Sequence, residues 1–170
     1  MAQTKNQIDP LELSLNMVQY YQEVILGLQI KEAPLKPETF VLENKYQGEK
    51  NSGWLNVLEG DVLGIDVKRL YWLHSFESSE TKGFHAHKNL NQLLVAMSGS
   101  VEIRIVDATL NEFEFILDSP SKVLKIPPLC WREIKMSPGA CLNVLADQVF
   151  DEGDYIRSFD QFKEYLRGKS

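Results

Sequence analysis

Cysteine, histidine and clustered basic charge are all scarce in this chain of 170 residues. Cys130 and Cys141 are too few for a disulfide framework, and neither lies in a Cys-x-x-Cys, so both read as reduced thiols of a cytoplasmic protein. Lys and Arg number 18 against 24 Asp and Glu, a formal charge of −6. With no dense basic cluster to offset that balance, nucleic acid is not an expected partner. No apolar run approaches the ~20 residues of a membrane-spanning helix, so no membrane partner is expected either. The N-terminus carries no basic segment followed by an apolar one, and no secretory leader is expected. Internal repeats and low-complexity tracts are lacking. What remains is 44% hydrophobic and 25% charged, the composition of a soluble globular domain long enough to bury a core.

The first segment reads as a helix. Asp9-Pro10 supplies a cap residue and a first-turn proline, and Leu11, Leu15, Val18, Ile25 and Leu28 recur at helical spacing beside Tyr21 and Val24. That apolar face needs a cover, either from the chain's own domain or from a second subunit. "KEAPLKPETF", with two prolines, reads as a linker. From about residue 40 short strands follow: "TFVLENKYQG", "GWLNVLEG", "GIDVKRLYWLHSF", "NQLLVAMSGSVEIRIVD", "NEFEFILD", "KVLKIPP" and "CLNVLADQVF". Val101, Ile103 and Ile105 alternate with Glu102 and Arg104, the pattern of a strand with one buried face. Regular spacing, with turn residues at "SGS", "DATLNE" and "DSPS", argues a sandwich or small barrel. "DYIRSFDQFKEYLRGKS" returns to helical spacing at Phe159, Phe162 and Tyr165-Leu166. The expectation is a mainly β protein: a helical extension and linker over residues 1–40, then a barrel domain over 41–170 ending in a short helix.

Two histidines one residue apart, His85 and His87, open the run "GFHAHKNLNQLLVAMSGS". Strand alternation puts both on one face. If that face is the barrel interior, two imidazoles enter one pocket, which is costly for a core and useful for a site. Either histidine alone reads more simply as a hydrogen-bonded structural residue. The pair on a barrel resembles the first motif of the cupins, jelly-roll barrels with a site inside the mouth: G-x5-H-x-H-x3,4-E-x6-G. Here Gln92 stands at the acidic position and Gly99 closes the frame. "PPLCWR", Pro127 to Arg132, is similar to the second motif, P-x-G-x-x-H, with Leu129 at the glycine and Arg132 at the last histidine. A divalent cation wants several neutral imidazoles and usually a carboxylate. Gln is a poor replacement, and a guanidinium cannot ligate and repels a cation. His74, on another strand, adds at most a third imidazole. No metal is expected. Histidines, tyrosines and an arginine suit an anionic substrate and proton transfer instead.

"KRLYWLHSFESSETKGFHAHKNLNQLLVAMSGSVEIRIVD" resembles the sugar-nucleotide 3,4-ketoisomerases of the WxcM-like cupin group, and the likeness runs through "LDSPSKVLKIPPLCWREI" to "DEGDYIRSFDQF", roughly residues 50–166. "GFHAHK", Gln92, the "GS" turn, "PP..W.E" and "DYIR" carry it. The resemblance implies a metal-free, cofactor-free tautomerisation of dTDP-4-keto-6-deoxyglucose to its 3-keto isomer, ahead of an aminotransferase that makes a 3-amino sugar for lipopolysaccharide or a related glycan. It implies His85 as the base with His87 assisting, and Tyr71 as the proton relay. Substrate contacts are expected from Arg69, Lys82, Lys88, Gln92, Trp131 and Arg132, with plain surface charge an equal reading for Arg69 and Lys88. It also implies a homodimer with strands exchanged between subunits.

Three positions differ from the group's usual pattern. Lys82-Gly83 replaces Arg-Gly, which keeps the charge and loses the bidentate fork for phosphate. Trp131-Arg132-Glu133 replaces Trp-His-Glu, and "NSGWL", Asn51 to Leu55, lacks an upstream arginine. A nucleotide-sugar-binding or regulatory barrel without catalysis is the alternative that these changes favour.

Overall fold

A computed structural model describes residues 36–41, 46–47, 54–74 and 81–168. The helix expected over residues 11–28 lies outside them. Among the described residues there are twelve strands: β1 (Glu38–Val41), β2 (Tyr46–Gln47), β3 (Trp54–Leu55), β4 (Arg69–His74), β5 (Thr81–His87), β6 (Gln92–Ser98), β7 (Val101–Val106), β8 (Glu112–Leu117), β9 (Lys122–Ile126), β10 (Trp131–Met136), β11 (Cys141–Ala146) and β12 (Tyr155–Ile156). One helix, α1 (Phe159–Arg167), follows. Two five-stranded sheets form, in the orders β1-β9-β6-β11-β4 and β12-β5-β10-β7-β8, with β2 and β3 paired apart. Every pairing is antiparallel. The expected jelly-roll barrel of the cupins is the fold observed. Among the described residues, no helix is long and apolar enough to cross a membrane.

The core sits between the sheets. Leu94 and Ala96 of β6, Leu124 of β9 and Leu142 and Val144 of β11 meet Val101, Ile103 and Ile105 of β7 and Ile134 and Met136 of β10. β7 obeys the alternation over most of its length: Val101, Ile103 and Ile105 are buried in this core while Glu102 points out. β6 does not alternate, because its other face is also covered. Leu93 and Val95 pack under Phe40, Leu58, Leu63 and Ile65. A strand buried on both sides reads as the continuous apolar run seen in "QLLVAMS". On the outside of the second sheet, Phe162 of α1 is fully buried against Trp131, Ala86, Val106 and Ile156. The apolar spacing of "SFDQFKEYL" therefore tracks real burial, and the ends of β5, β10 and β12 are clamped under one short helix.

Two departures from regular strand geometry shape the interior. β5 and β10 slip register between Arg132 and Glu133, opposite Gly83. Gly83 has φ +95°, and a Cβ there would lie 2.9 Å from the Arg132 carbonyl oxygen, so only glycine fits. The bulge leaves Arg132 directly across from His85. Leu129, at the position where the cupin motif has glycine, has φ +58°. Its left-handed conformation is the one glycine normally supplies, so the backbone turn of the motif persists with a leucine in it. The Leu129 amide donates to the His87 carbonyl at 2.7 Å, tying the turn to β5.

Candidate active site

Tyr71 of β4 and Gln92 of β6 face His85 of β5, Arg132 of β10 and Tyr155 of β12 across a cavity of about 290 Å³. Arg157 stands at its edge, and Leu73, Leu94, Ile134 and Val144 form the apolar floor. Each sheet contributes by alternation. On β4, Arg69, Tyr71 and Leu73 are half-buried while Leu70, Trp72 and His74 are exposed. On β10, Arg132 shares the buried face with Ile134 and Met136.

Hydrogen bonds set the protonation of His85. His85 Nδ1 lies 2.8 Å from the Gly83 carbonyl oxygen, which only accepts, so Nδ1 carries the hydrogen. The lone pair is then on Nε2, which accepts from Arg132 Nη2 at 3.0 Å and Nε at 3.3 Å. Burial, reinforced by the Arg132 charge, pushes the His85 pKa down to about 4. At neutral pH it is an imidazole with a free base behind a single guanidinium. Arg132 is itself fully buried in the barrel, and desolvation brings it down to about 10, still protonated at neutral pH. Among the described residues the only hydrogen-bond partner of its side chain is His85.

Gln92 Nε2 donates to the Tyr71 hydroxyl oxygen at 2.7 Å. A phenol that accepts from an amide keeps its own proton to give elsewhere. Burial raises the Tyr71 pKa, while Arg132, Arg69 and the Gln92 bond act to lower it. Tyr71 is therefore a neutral donor whose phenolate is supported on three sides. The Arg69 guanidinium lies 5.0 Å from the Tyr71 ring centroid and 5.8 Å from that of the exposed Phe150. Its Nε is buried without a partner among the described groups.

His87 lies one layer back. It is 1% exposed, does not line the cavity, and has its ring 5.0 Å from His85 and 4.3 Å from Tyr155. Alternation does put both imidazoles inside, and only His85 reaches the open space. Of the six expected substrate contacts only Gln92 and Arg132 line the cavity; Arg69 lies against the Tyr71 ring, and the other three stand elsewhere. Lys82 is exposed and does not line it. Lys88 Nζ donates to the Gly153 carbonyl at 2.6 Å and sits over the Tyr165 ring. Trp131 faces the other way, donating to Glu133 at 3.2 Å and meeting the Phe159 ring of α1 edge to face. The physical reason is the same for Trp131 and His74: each occupies the outward phase of its strand. Among the described residues no group of three His, Cys, Asp or Glu is placed to hold a metal ion. The donor set does not fit one either, since a guanidinium occupies His85 Nε2 and an amide stands where a carboxylate would be.

Tyr155 and Arg157 are the site residues that spacing alone did not single out. The Tyr155 ring lies 5.0 Å from His85, and the Arg157 guanidinium sits 4.2 Å from the Tyr155 ring centroid while pairing with Glu152. Both belong to "DYIR", a segment that carries family likeness but has no period of its own.

Comparisons with known proteins bear on the family and the fold. The family model described as "FdtA: WxcM-like, C-terminal" matches residues 40–167. The TDP-4-oxo-6-deoxy-alpha-D-glucose-3,4-oxoisomerase of Aneurinibacillus thermoaerophilus is 38% identical over 109 residues, covering 64% of this chain and 78% of the relative. QdtA, a sugar 3,4-ketoisomerase from Thermoanaerobacterium thermosaccharolyticum solved with TDP, superposes with TM-score 0.70 at 32% identity, over 78% of this chain and 96% of that one. A histidine-to-asparagine variant of QdtA has been solved with TDP-4-keto-6-deoxyglucose. The TDP-quinovose 3,4-ketoisomerase WlaRB of Campylobacter jejuni gives TM-score 0.68 at 36% identity, over 81% and 99%.

Proposed function

The chain belongs to the WxcM-like, C-terminal family, and from that premise we propose how its cavity isomerises a dTDP-linked 4-keto-6-deoxyglucose. The protein is an isomerase of nucleotide sugars, a 3,4-ketoisomerase. The observation that carries the mechanism is the facing of an unprotonated His85 Nε2 and a proton-bearing Tyr71 hydroxyl across one cavity with Arg132 between the strands.

Entry of the sugar draws Arg132 from His85 to the C4 ketone oxygen, freeing the base. His85 Nε2 removes the proton from C3. The released pair forms the C3–C4 double bond, and the carbonyl pair moves to O4, which takes the Tyr71 proton. Arg132 and Tyr71 are the donors for the developing oxyanion. The Tyr71 phenolate then takes the proton of O3, the C3 carbonyl forms, and C4 takes its proton from the His85 imidazolium. One imidazole and one phenol return to their starting states, so no metal or redox cofactor is consumed or required. Arg69 and Arg157 serve the diphosphate at the mouth, and Tyr155 offers a ring face to the sugar. The product is a 3-ketone, the substrate class of a sugar aminotransferase making a deoxyamino sugar for a surface polysaccharide. A cytoplasmic setting suits Cys130, whose thiol is pushed up to about 12 by burial and is inert.

The test is direct. Purified protein incubated with dTDP-4-keto-6-deoxyglucose in deuterated water is expected to place deuterium on the ring and give the 3-keto sugar by NMR, with EDTA leaving the rate unchanged. No exchange with that sugar would refute the reading, and loss of activity on chelation would refute the metal-free chemistry.

A homodimer is part of the same reading. Among the described residues β4 is an edge strand, and on its outer face Leu70 and Trp72 are 55% and 65% exposed. Beside them is an apolar depression of about 480 Å³ lined by Leu55, Leu58, Val95, Met97 and Leu145. Exposed apolar surface of this kind on an edge is what a second subunit covers. Light scattering is expected to give twice the chain mass, and Trp72→Glu to shift it toward one. A wild-type monomer at micromolar concentration would exclude the dimer.

A further inference from the structure

The mechanism uses His85 and leaves a second buried ionisable pair unexplained. Asp154, 6% exposed, has its Oδ2 3.0 Å from His87 Nδ1. Its Oδ1 accepts from the Asn89 amide at 2.8 Å and from Asn89 Nδ2 at 3.1 Å. Its backbone oxygen accepts from the Lys88 amide at 2.9 Å. A carboxylate so completely engaged stays an acceptor, so His87 Nδ1 carries the hydrogen. The consequence falls on the far side of the ring. His87 Nε2 is buried, unprotonated and without a hydrogen-bond partner among the described groups. Burial and the nearby Arg132 charge hold His87 well below the usual histidine range, so it stays neutral.

A core histidine held only for packing gains nothing from an orphaned nitrogen, which a phenylalanine would not carry. This ring instead stands edge-on to the base, at 5.0 Å and 88° to His85, and against Tyr155 at 4.3 Å. Tyr155 is the next residue after Asp154 and pairs with His87 across a strand only two residues long. So short a strand has little ladder of its own, and its placement depends on the Asp154 clamp.

We propose that Asp154 is a positioning residue of the isomerase: through His87 it fixes a neutral ring of one tautomer behind the base, and so holds His85 and Tyr155 in working register. The inference rests on the ketoisomerase reading, but the state of His87 is measurable without any substrate. Asp154→Asn is the informative change. It keeps the volume and the Asn89 contacts, while an amide that donates to Nδ1 moves the His87 proton to Nε2.

Long-range ¹H–¹⁵N spectra of the full chain are expected to show His87 protonated at Nδ1 in wild type and at Nε2 in D154N. With dTDP-4-keto-6-deoxyglucose, kcat is expected to fall about 10- to 100-fold, the range for losing an outer partner of a functional histidine and less than the ~10⁴-fold for losing an orienter bonded to the base itself, with KM within about threefold and the melting temperature nearly unchanged. Asp154→Glu, which restores the charge, recovers part of kcat. Wild-type His87 found protonated at Nε2, or D154N turning over at the wild-type rate, overturns the proposal. If D154N does not fold, His87→Phe reads the same arm, since it keeps a ring and loses the tautomer. A fall in kcat with the fold retained supports the proposal, and an unchanged kcat overturns it. Absent wild-type turnover sinks the substrate reading, and the wild-type tautomer still decides the positioning of His87.

Discussion

His85→Asn is expected to lower kcat for the dTDP-linked 4-keto sugar by about 10³-fold, within the span for removing a positioned general base, while KM moves little. The size follows from the geometry. His85 Nε2 carries the only neutral basic nitrogen lining the described cavity, because Gln92 faces Tyr71 with its amide hydrogens and His87 lies behind. Asparagine keeps an oxygen that can accept from Arg132, so the cavity retains its main internal bond and the fold should melt within a few degrees of wild type. Washing of deuterium into C3 should vanish together with turnover, since both pass through the same proton. If exchange at C3 persists at the wild-type rate, another group is the base and the role of His85 is lost. Failure of binding alone, with kcat intact at saturating sugar, would instead make His85 a ligand contact.

The legible parts of this molecule are those where one side chain type serves one purpose. Val101, Ile103 and Ile105 bury, Glu102 does not, and the strand is readable at sight. Phe159 and Phe162 mark α1 because the helix has a single face to cover. His85 and Gln92 were recognisable because they sit in a frame whose spacing a barrel strand enforces. β10 was harder. Its inward row runs Arg132, Ile134, Met136, and a charge in the apolar phase hides the period, while Trp131 in the outward phase looks like a site residue but lies under α1. β12 was invisible for a different reason. Two residues cannot show a period, and Tyr155 reaches the cavity only because Asp154 and α1 clamp that segment to β5. The bulge opposite Gly83 and the left-handed Leu129 likewise depend on partners far away in the chain. Local sequence carries periodicity well and tertiary placement of polar groups poorly, and the polar groups that tertiary structure holds against their local pattern are the ones at the site.

Arg132→Met is expected to move activity and stability in opposite directions. A guanidinium buried in the barrel with one neutral imidazole as its hydrogen-bond partner has lost its hydration without a paired carboxylate to offset the loss. Methionine fits the same apolar row beside Ile134 and removes that cost. Replacing buried charge by a well-packed apolar group is commonly neutral or stabilising by about 1–4 kcal/mol, and in a domain of this size about 2–4 °C in Tm accompanies each kcal/mol. Tm should therefore rise or hold, while kcat falls about 10²- to 10³-fold with the loss of a charged oxyanion donor. The pH profile supplies an independent readout. In wild type the base form of His85 persists down to its pKa of about 4, so the acid limb of kcat/KM lies near there rather than at the ordinary 6.5. The lost charge in R132M raises that pKa, and the residual activity should fail at a higher pH, on the way back toward 6.5. The same shift gives the folding linkage its sign. The unfolded chain binds a proton at His85 below pH 6.5 and the native chain does so only near 4, so stability falls as pH drops through that window. R132M should narrow the window from its acid end. A variant that is less stable, with an unmoved acid limb, would mean that Arg132 is a structural member of the barrel rather than charge held in place for the oxyanion.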